Sequence, residues 1–576
     1  MKRWFKYVRP YMSYFIIGPL CMIVEVVGEV VIPKLFASVI NSANEGTLTT
    51  GGSITTMVLM ILTAIIMMAG GVGGAYFSAK ASVNFAADLR QDLYAKVQAF
   101  SFANIDRFST GSLVTRLTND VTQLQNFIAM VLRMALRAPG MMIAALIMAI
   151  FIKPSLSVVF AVSIPLMLIT LLFIIRTGFA RFSKMQEKID ALNSTVQENV
   201  TNVRVVKSFV REEHSIGLFR KANRDLKDAG ISAVSVMIFL QPVMTLFMDI
   251  TIIVVILIGG SIVLGNGMQV GDLSAFITYV IQILSSLVMI TFMLMMSSRA
   301  MASGKRIIAV LDEKLDISDE NAAYPDKKVE RGSIEFRNVS FRYYKSSEDK
   351  VLDGINLSIP DGSIVGIIGS TGSGKTTLVS MIPRLYDCDD GEVLVDGVNV
   401  RDYSLVNLRD GIGMVLQKNT LFSGSIADNL RWGDENATDD EMREFAVYAQ
   451  ADKFVSTFTE GYDTMLVQGG TNVSGGQKQR LCIARAMLKK PKILILDDST
   501  SAVDTATEAQ IRKAFREELS GCTKIIIAQR ISSVRDADMI IVLNDGRITG
   551  IGKHDELLEN NTEYREIYES QSGKEE

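Results

Sequence analysis

The sequence predicts an all-α membrane domain of six helices followed by a soluble α/β domain. Three observations predict it. At 576 residues, with 48% hydrophobic and 21% charged residues and a positive mean hydropathy, the chain is too long for one ordinary core and must segregate apolar from charged residues. Long apolar runs crowd residues 1–303, whereas 333–576 mix apolar and polar stretches, and a charged, Pro-containing linker, 304–332, separates the two. In the second part an apolar strand, 364–369, runs into a glycine-rich loop and then a helix, 375–384, the order expected of a parallel sheet.

Apolar stretches of spanning length fall at 12–36, 54–78, 131–152, 155–176, 236–264 and 273–298. The first, third and fifth connections (41–55, 153–154 and 265–272) are short and carry one lysine, Lys153, and no arginine. The second and fourth, 80–127 and 176–233, are long and rich in Lys and Arg. Basic residues favour the cytoplasmic side, so both termini, both long loops and the α/β domain are expected in the cytoplasm of a multi-pass protein of the cell (plasma or inner) membrane. Lys2, Arg3, Lys6 and Arg9 precede the first apolar run without a small-residue cleavage site, which points to an uncleaved first helix. The long loops are mostly helix-favouring and lack proline, so they extend the membrane helices into the cytoplasm and reverse near 101–109 and 209–214. About 20 residues of helix reach roughly 30 Å, enough to touch a domain below the membrane.

Net charge is −3 with no basic tail, which gives nucleic acid nothing to bind. Cys21, Cys388, Cys482 and Cys522 are scattered without metal-ligand spacing and read as reduced structural thiols. Several polar residues lie inside spans: Glu25 and Glu29 one turn apart in the first, Asp249 in the fifth, and Gln282, Ser285 and Ser286 in the sixth. Ionisable groups in lipid usually face a bundle interior or a wet cavity. They could line a cavity for cationic, amphipathic molecules, or hydrogen-bond helix to helix. Met289, Met293 and Met296 form a helical stripe that suits an adaptable binding surface or plain packing. Arg133 and Arg137 read as snorkelling near the cytoplasmic end of the third span, and Gly70 and Gly74 as close helix packing.

Gly369-Ser370-Thr371-Gly372-Ser373-Gly374-Lys375-Thr376 is a complete phosphate-binding loop, with Thr377 continuing the helix. Its backbone N–H groups and helix N-terminus would cradle ATP phosphates, Lys375 would reach the β- and γ-phosphates, and the Thr376 hydroxyl would ligate Mg2+. Ile493-Leu-Ile-Leu-Asp497 is an apolar strand ending in a metal-binding carboxylate.

Val473-Ser474-Gly475-Gly476-Gln477-Lys-Gln-Arg480 resembles the signature motif of ATP-binding-cassette (ABC) transporters, and it stands between Gln417 of a Q-loop and Asp497 of a Walker B strand. Ser501-Ala502-Val503-Asp504 resembles the D-loop, and Tyr343 the aromatic that stacks on adenine. The resemblance covers the chain almost end to end and looks like a type IV exporter half-transporter of the multidrug or lipid kind. It implies a P-loop NTPase cassette with a small antiparallel β subdomain and a helical subdomain. It also implies that Gln417 joins Thr376 and Asp497 around Mg2+. Two cassettes would sandwich two ATPs, each pocket taking its Walker residues from one chain and its signature, here Ser474–Gln477, from the other. The loop reversals would be coupling helices. An importer is disfavoured, because importers usually carry the two parts on separate chains, and the short N-terminus leaves no room for a leader-peptide protease.

Three residues depart from the family pattern. Asp498 stands where the family has its general-base glutamate, one methylene shorter, and a misplacement of about 1 Å can cost on the order of 10²-fold. Gln529 stands at the switch histidine and cannot carry a proton, and Gln468 stands where many relatives have glutamate. This pattern resembles the degenerate-site subunit of a heterodimeric exporter, whose intact signature serves the partner's pocket. The alternatives are a homodimeric exporter with weak ATPase, a lipid flippase, and a non-transporting ATP-gated regulator.

Overall fold

The computed structural model describes residues 2–345, 348–498 and 503–572. Ser501 and Ala502 of the D-loop lie outside the described residues. The chain forms two compact units, Met1–Gln98 with Gly111–Asp312, and Ala99–Thr110 with Glu313–Glu576.

The first unit holds six helical stretches long and apolar enough to span a membrane: Arg3–Asn44, Thr50–Gln98, Thr110–Ile152, Pro154–Thr201, Glu212–Leu264 and Val270–Leu311. Crossing needs about 20 residues, so the surplus continues as helix beyond the apolar part. The third stretch breaks at residues 135–136, between helices Val121–Met134 and Arg137–Ile152. The last runs on to Leu311, through the start of segment 304–332. Its core joins Val26 and Val30 of the first helix to Met141, Ala145, Phe160, Met167, Tyr279 and Ile283. A Cβ on Gly70 would stand 2.9 Å from the Cys21 carbonyl, so glycine lets the first two helices touch backbone to backbone. The second reversal is a short helix, Val203–Ser208, followed by a turn at 209–211, inside the expected 209–214.

The second unit is built on a six-stranded sheet in the order Arg547–Gly552, Met539–Asn544, Ile364–Ile368, Thr523–Ile527, Ile493–Asp497, Ile412–Val415. All but the edge strand Arg547–Gly552 pair in parallel. Every residue of the two strands beside the centre, Thr523–Ile527 and Ile493–Asp497, is buried, as expected of a sheet covered on both faces. A four-stranded antiparallel sheet, Leu352–Ile359, Ile334–Phe341, Asp390–Val395 and Val398–Asn399, forms the β subdomain. Helices Ile426–Arg431, Asp439–Tyr448 and Gly475–Leu488 form the helical subdomain. Strand Ile334–Phe341 is continuous, although register shifts interrupt its alternation around Asn338, whose φ is 48°.

Candidate nucleotide site and intramembrane cluster

Strand register assembles the site. Ile527 pairs with Ile367 on one side and Asp497 on the other, so the three central strands end level. The phosphate loop, residues 528–529 and Asp498 therefore emerge along one carboxyl edge of the sheet, where ligands of open α/β folds bind. Val415 pairs with Leu496, which puts Gln417, exposed, at the same edge.

Gly372 and Gly374 have φ of 88° and 97°, in the left-handed region that a side chain disfavours. The loop thereby closes tightly before helix Lys375–Ser380. The Lys375 ammonium donates to the carbonyls of Gly369 (2.9 Å) and Ser370 (2.6 Å), which holds it over the loop. Burial pulls its pKa down, opposed by the carboxylates of Asp497 and Asp498. The Thr376 hydroxyl donates to Asp497 Oδ1 at 3.1 Å. Asp497 is buried, and its Oδ2 has no hydrogen-bond partner among the described residues. Burial raises its pKa, Thr376 lowers it, Asp498 raises it and Lys375 lowers it, with a net rise. An orphaned buried carboxylate oxygen beside a hydroxyl is a donor set that fits Mg2+, which takes one or two protein oxygens plus phosphate.

Asp498 and Gln529 touch each other. Gln529 Nε2 donates to Asp498 Oδ2 at 2.7 Å. Asp498 has a φ of 48°, its N–H donates to the Ile527 carbonyl at 3.1 Å, and its own carbonyl accepts from Gln479 Nε2 at 3.3 Å. The C-terminal helix Thr562–Ser572 holds this segment from behind. Gln571 Nε2 donates to the Gln529 carbonyl (2.8 Å), and its Oε1 accepts from the Ile531 N–H (2.9 Å). No sequence motif pointed to Gln571; only packing brings it there.

Tyr343 is 43% exposed, its hydroxyl is hydrogen-bonded to Thr377 Oγ1 (2.9 Å), and its ring stands edge-on to Phe341 and Tyr386. Ser474 caps helix Gly475–Leu488: its hydroxyl accepts from the Gln477 N–H while Gln477 Oε1 accepts from the Ser474 N–H. Gly475 is exposed and Gly476 half-buried at this helix start, so the N-terminal amides face outward. Asp504 caps helix Thr505–Glu517 through the Thr507 N–H.

In the membrane unit Arg137 is not a snorkelling residue. Its guanidinium pairs with Glu29 Oε1 (2.8 Å) and Glu25 Oε1 (3.1 Å), joining the first and third spans inside the bundle. Gln282 Nε2 donates to the Glu29 backbone carbonyl (2.9 Å), adding the sixth span. The sequence offered a clue in two intramembrane carboxylates needing a cation, but not which basic residue would fold onto them. Met289 and Met293, half-buried, lie two and three turns beyond Gln282 on its side of the helix. Asp249 is exposed on its own helix, Leu240–Leu264, and no ion pair among the described residues brings it into this cluster.

A six-helix membrane unit, followed on the same chain by a P-loop cassette with a signature helix, defines an ATP-driven membrane transporter of exporter layout. Residues 15–287 match the ABC transporter transmembrane region and residues 352–501 match the ABC transporter domain. The chain is 38% identical over 582 residues to the uncharacterized ABC transporter ATP-binding protein YfiB of Bacillus subtilis (strain 168), covering 100% of this chain and 99% of that protein. It is 33% identical over 486 residues to an ATP-dependent lipid A-core flippase of Syntrophus aciditrophicus (strain SB), covering 84% and 80%. The structure of a bacterial Atm1-family ABC exporter with ATP bound superposes with a TM-score of 0.79 at 24% identity, over 97% of this chain and 98% of that one. The chain belongs to the ABC transporter family.

Proposed function

We propose that this chain is one half of a heterodimeric exporter of hydrophobic or amphipathic compounds, drug or lipid. Its own Walker pocket binds ATP with Mg2+ on Thr376, Asp497 and Gln417 and turns over slowly. Its signature, Ser474–Gln477, completes the partner's working pocket. The carrying observation is the 2.7 Å bond from Gln529 to Asp498. An amide N–H donated to the shortened carboxylate lowers its basicity toward the attacking water, and Gln529 offers no titratable nitrogen in exchange. The capped signature helix supports the other half of the reading, because Gly475 lies exposed at its N-terminus, the end of a helix that favours an anion.

The cargo side rests on the cluster of the first unit. Glu25 and Glu29 face one guanidinium, so with all three ionised one negative charge is left over in an apolar bundle. That residue of charge, with Gln282 and the stripe of Met289 and Met293, favours cationic amphiphiles. A lipid cargo is the second reading, favoured by the relative named as a lipid A-core flippase. The basic loops support an orientation with both termini and the cassette on the cytoplasmic side of the cell membrane.

The test is ATP hydrolysis and uptake of a cationic fluorescent amphiphile by inside-out vesicles that carry the assembled pair. Asp498→Asn should change hydrolysis by less than about threefold, against the 10²–10⁴-fold worth of a working general base. Loss of hydrolysis in that variant would place the active pocket on this chain and overturn the asymmetric reading.

A further inference from the structure

We propose that Tyr386 is a positioning residue that ties occupancy of the adenine side of the nucleotide site to the cytoplasmic reversal 99–110. The inference rests on Tyr343 being the base platform. A continuous set of contacts inside the second unit runs from that platform to the reversal.

Tyr343 and Tyr386 meet edge to face, with ring centroids 5.2 Å apart and planes at 90°. Phe341 braces both rings, at 5.0 Å from Tyr343 and 5.5 Å from Tyr386. On its other side Tyr386 lies 6.0 Å from the ring of Phe102, and its hydroxyl donates to Asp106 Oδ2 at 3.0 Å. Burial, then the Asp106 carboxylate, push the Tyr386 phenol above its ordinary range, so the hydroxyl remains a donor. Phe102 and Asp106 belong to the helical turn Phe102–Arg107, capped by Ser101 and Asn104.

That turn is anchored a second time, to the connector before the cassette. Asn104, 1% exposed, donates from Nδ2 to the Lys314 carbonyl (2.9 Å) and accepts at Oδ1 from the Asp316 N–H (3.1 Å). Arg107 pairs with Glu313 at 2.7 Å. Helix Thr50–Gln98 leads straight into the reversal, so a shift there is passed to the second membrane span by covalent continuity.

The chemistry of this path differs from that of the phosphate loop. Stacking of a base on Tyr343 fixes the angle of its ring, and an edge-to-face neighbour responds to that angle. A ligand shifts an equilibrium only through contacts that differ between its two states, and here the differing contact is the base. A nucleotide therefore signals through Tyr386 what phosphate alone does not.

The experiment is hydrogen–deuterium exchange of the full-length chain in nanodiscs, comparing Mg-ATP with Mg-tripolyphosphate, each at saturation. Mg-ATP should slow exchange across 99–110 by about fivefold or more beyond tripolyphosphate, the lower end of measured site-to-site couplings. In Tyr386→Phe, which keeps the ring and removes the hydroxyl, this ATP-specific protection should be lost while ATP affinity stays within about threefold. A merely structural role would raise exchange equally with and without nucleotide. Equal protection by the two ligands, or full ATP-specific protection in Tyr386→Phe, would overturn the proposal. Tyr343→Ala separates the two layers. Unchanged ATP affinity there removes the base platform and the relay with it, whereas weakened affinity beside intact protection in Tyr386→Phe removes the relay alone.

Discussion

Burial raises the Asp497 carboxyl above the ordinary carboxylate range, Thr376 draws it back, and Asp498 raises it again. A carboxylate with a raised folded pKa destabilises the fold once pH exceeds its unfolded pKa, and the full effect is present above its folded pKa. Without ligand, Asp497→Asn should therefore raise the melting temperature at pH 7 to 8 and change it little in acid. With Mg-ATP the order reverses. Ligand at about a hundred times Kd stabilises the wild type by about 2.7 kcal/mol, roughly 5–10 °C for a unit of this size. Asp497→Asn should lose the part of that gain that depends on Mg2+. Thermal melts with ATP, with and without Mg2+, check both signs. Asp498, the next residue, and Gln529, one strand away, are joined by a hydrogen bond of their own.

At the scale of elements, the switch segment depends on a helix far from it in sequence. Gln571 makes two bonds to the backbone at Gln529 and Ile531, each worth about 1 kcal/mol. Gln571→Ala should speed exchange of the Ile531 amide by roughly fivefold or more, with the central strands unaffected. The phosphate loop, the Asp497 strand and the signature helix were legible in the sequence because each is a local pattern: an apolar run, a glycine loop, a capping residue. Gln571 and Arg137 were not. Arg137 lies 108 residues from Glu29, and hydropathy around position 137 records only a basic residue near a span end. Alternation along strand Ile334–Phe341 breaks in the same way at Asn338, where the register shifts.

For the whole molecule, the two cytoplasmic reversals are unlike. Ala99–Thr110 belongs to the compact unit of this chain's own cassette. The second reversal stays with the membrane unit and carries Phe209 and Val210 at 73% and 81% exposure. In the proposed heterodimer, this bare apolar tip is a surface for the second chain's cassette to cover. The six membrane stretches were visible from hydropathy and length, and their surplus length from the absence of proline in the loops. In the proposed asymmetric pair, Asp498 and Gln529 make this chain's own pocket hold ATP and turn it over slowly. The most direct measurement is ATP turnover of the purified chain alone, wild type beside the Asp498→Glu, Gln529→His double variant. ATP binding with slow turnover is expected in the wild type, rising by about 10²-fold in the double variant. Rapid turnover by the wild type, unchanged by the two substitutions, would contradict it.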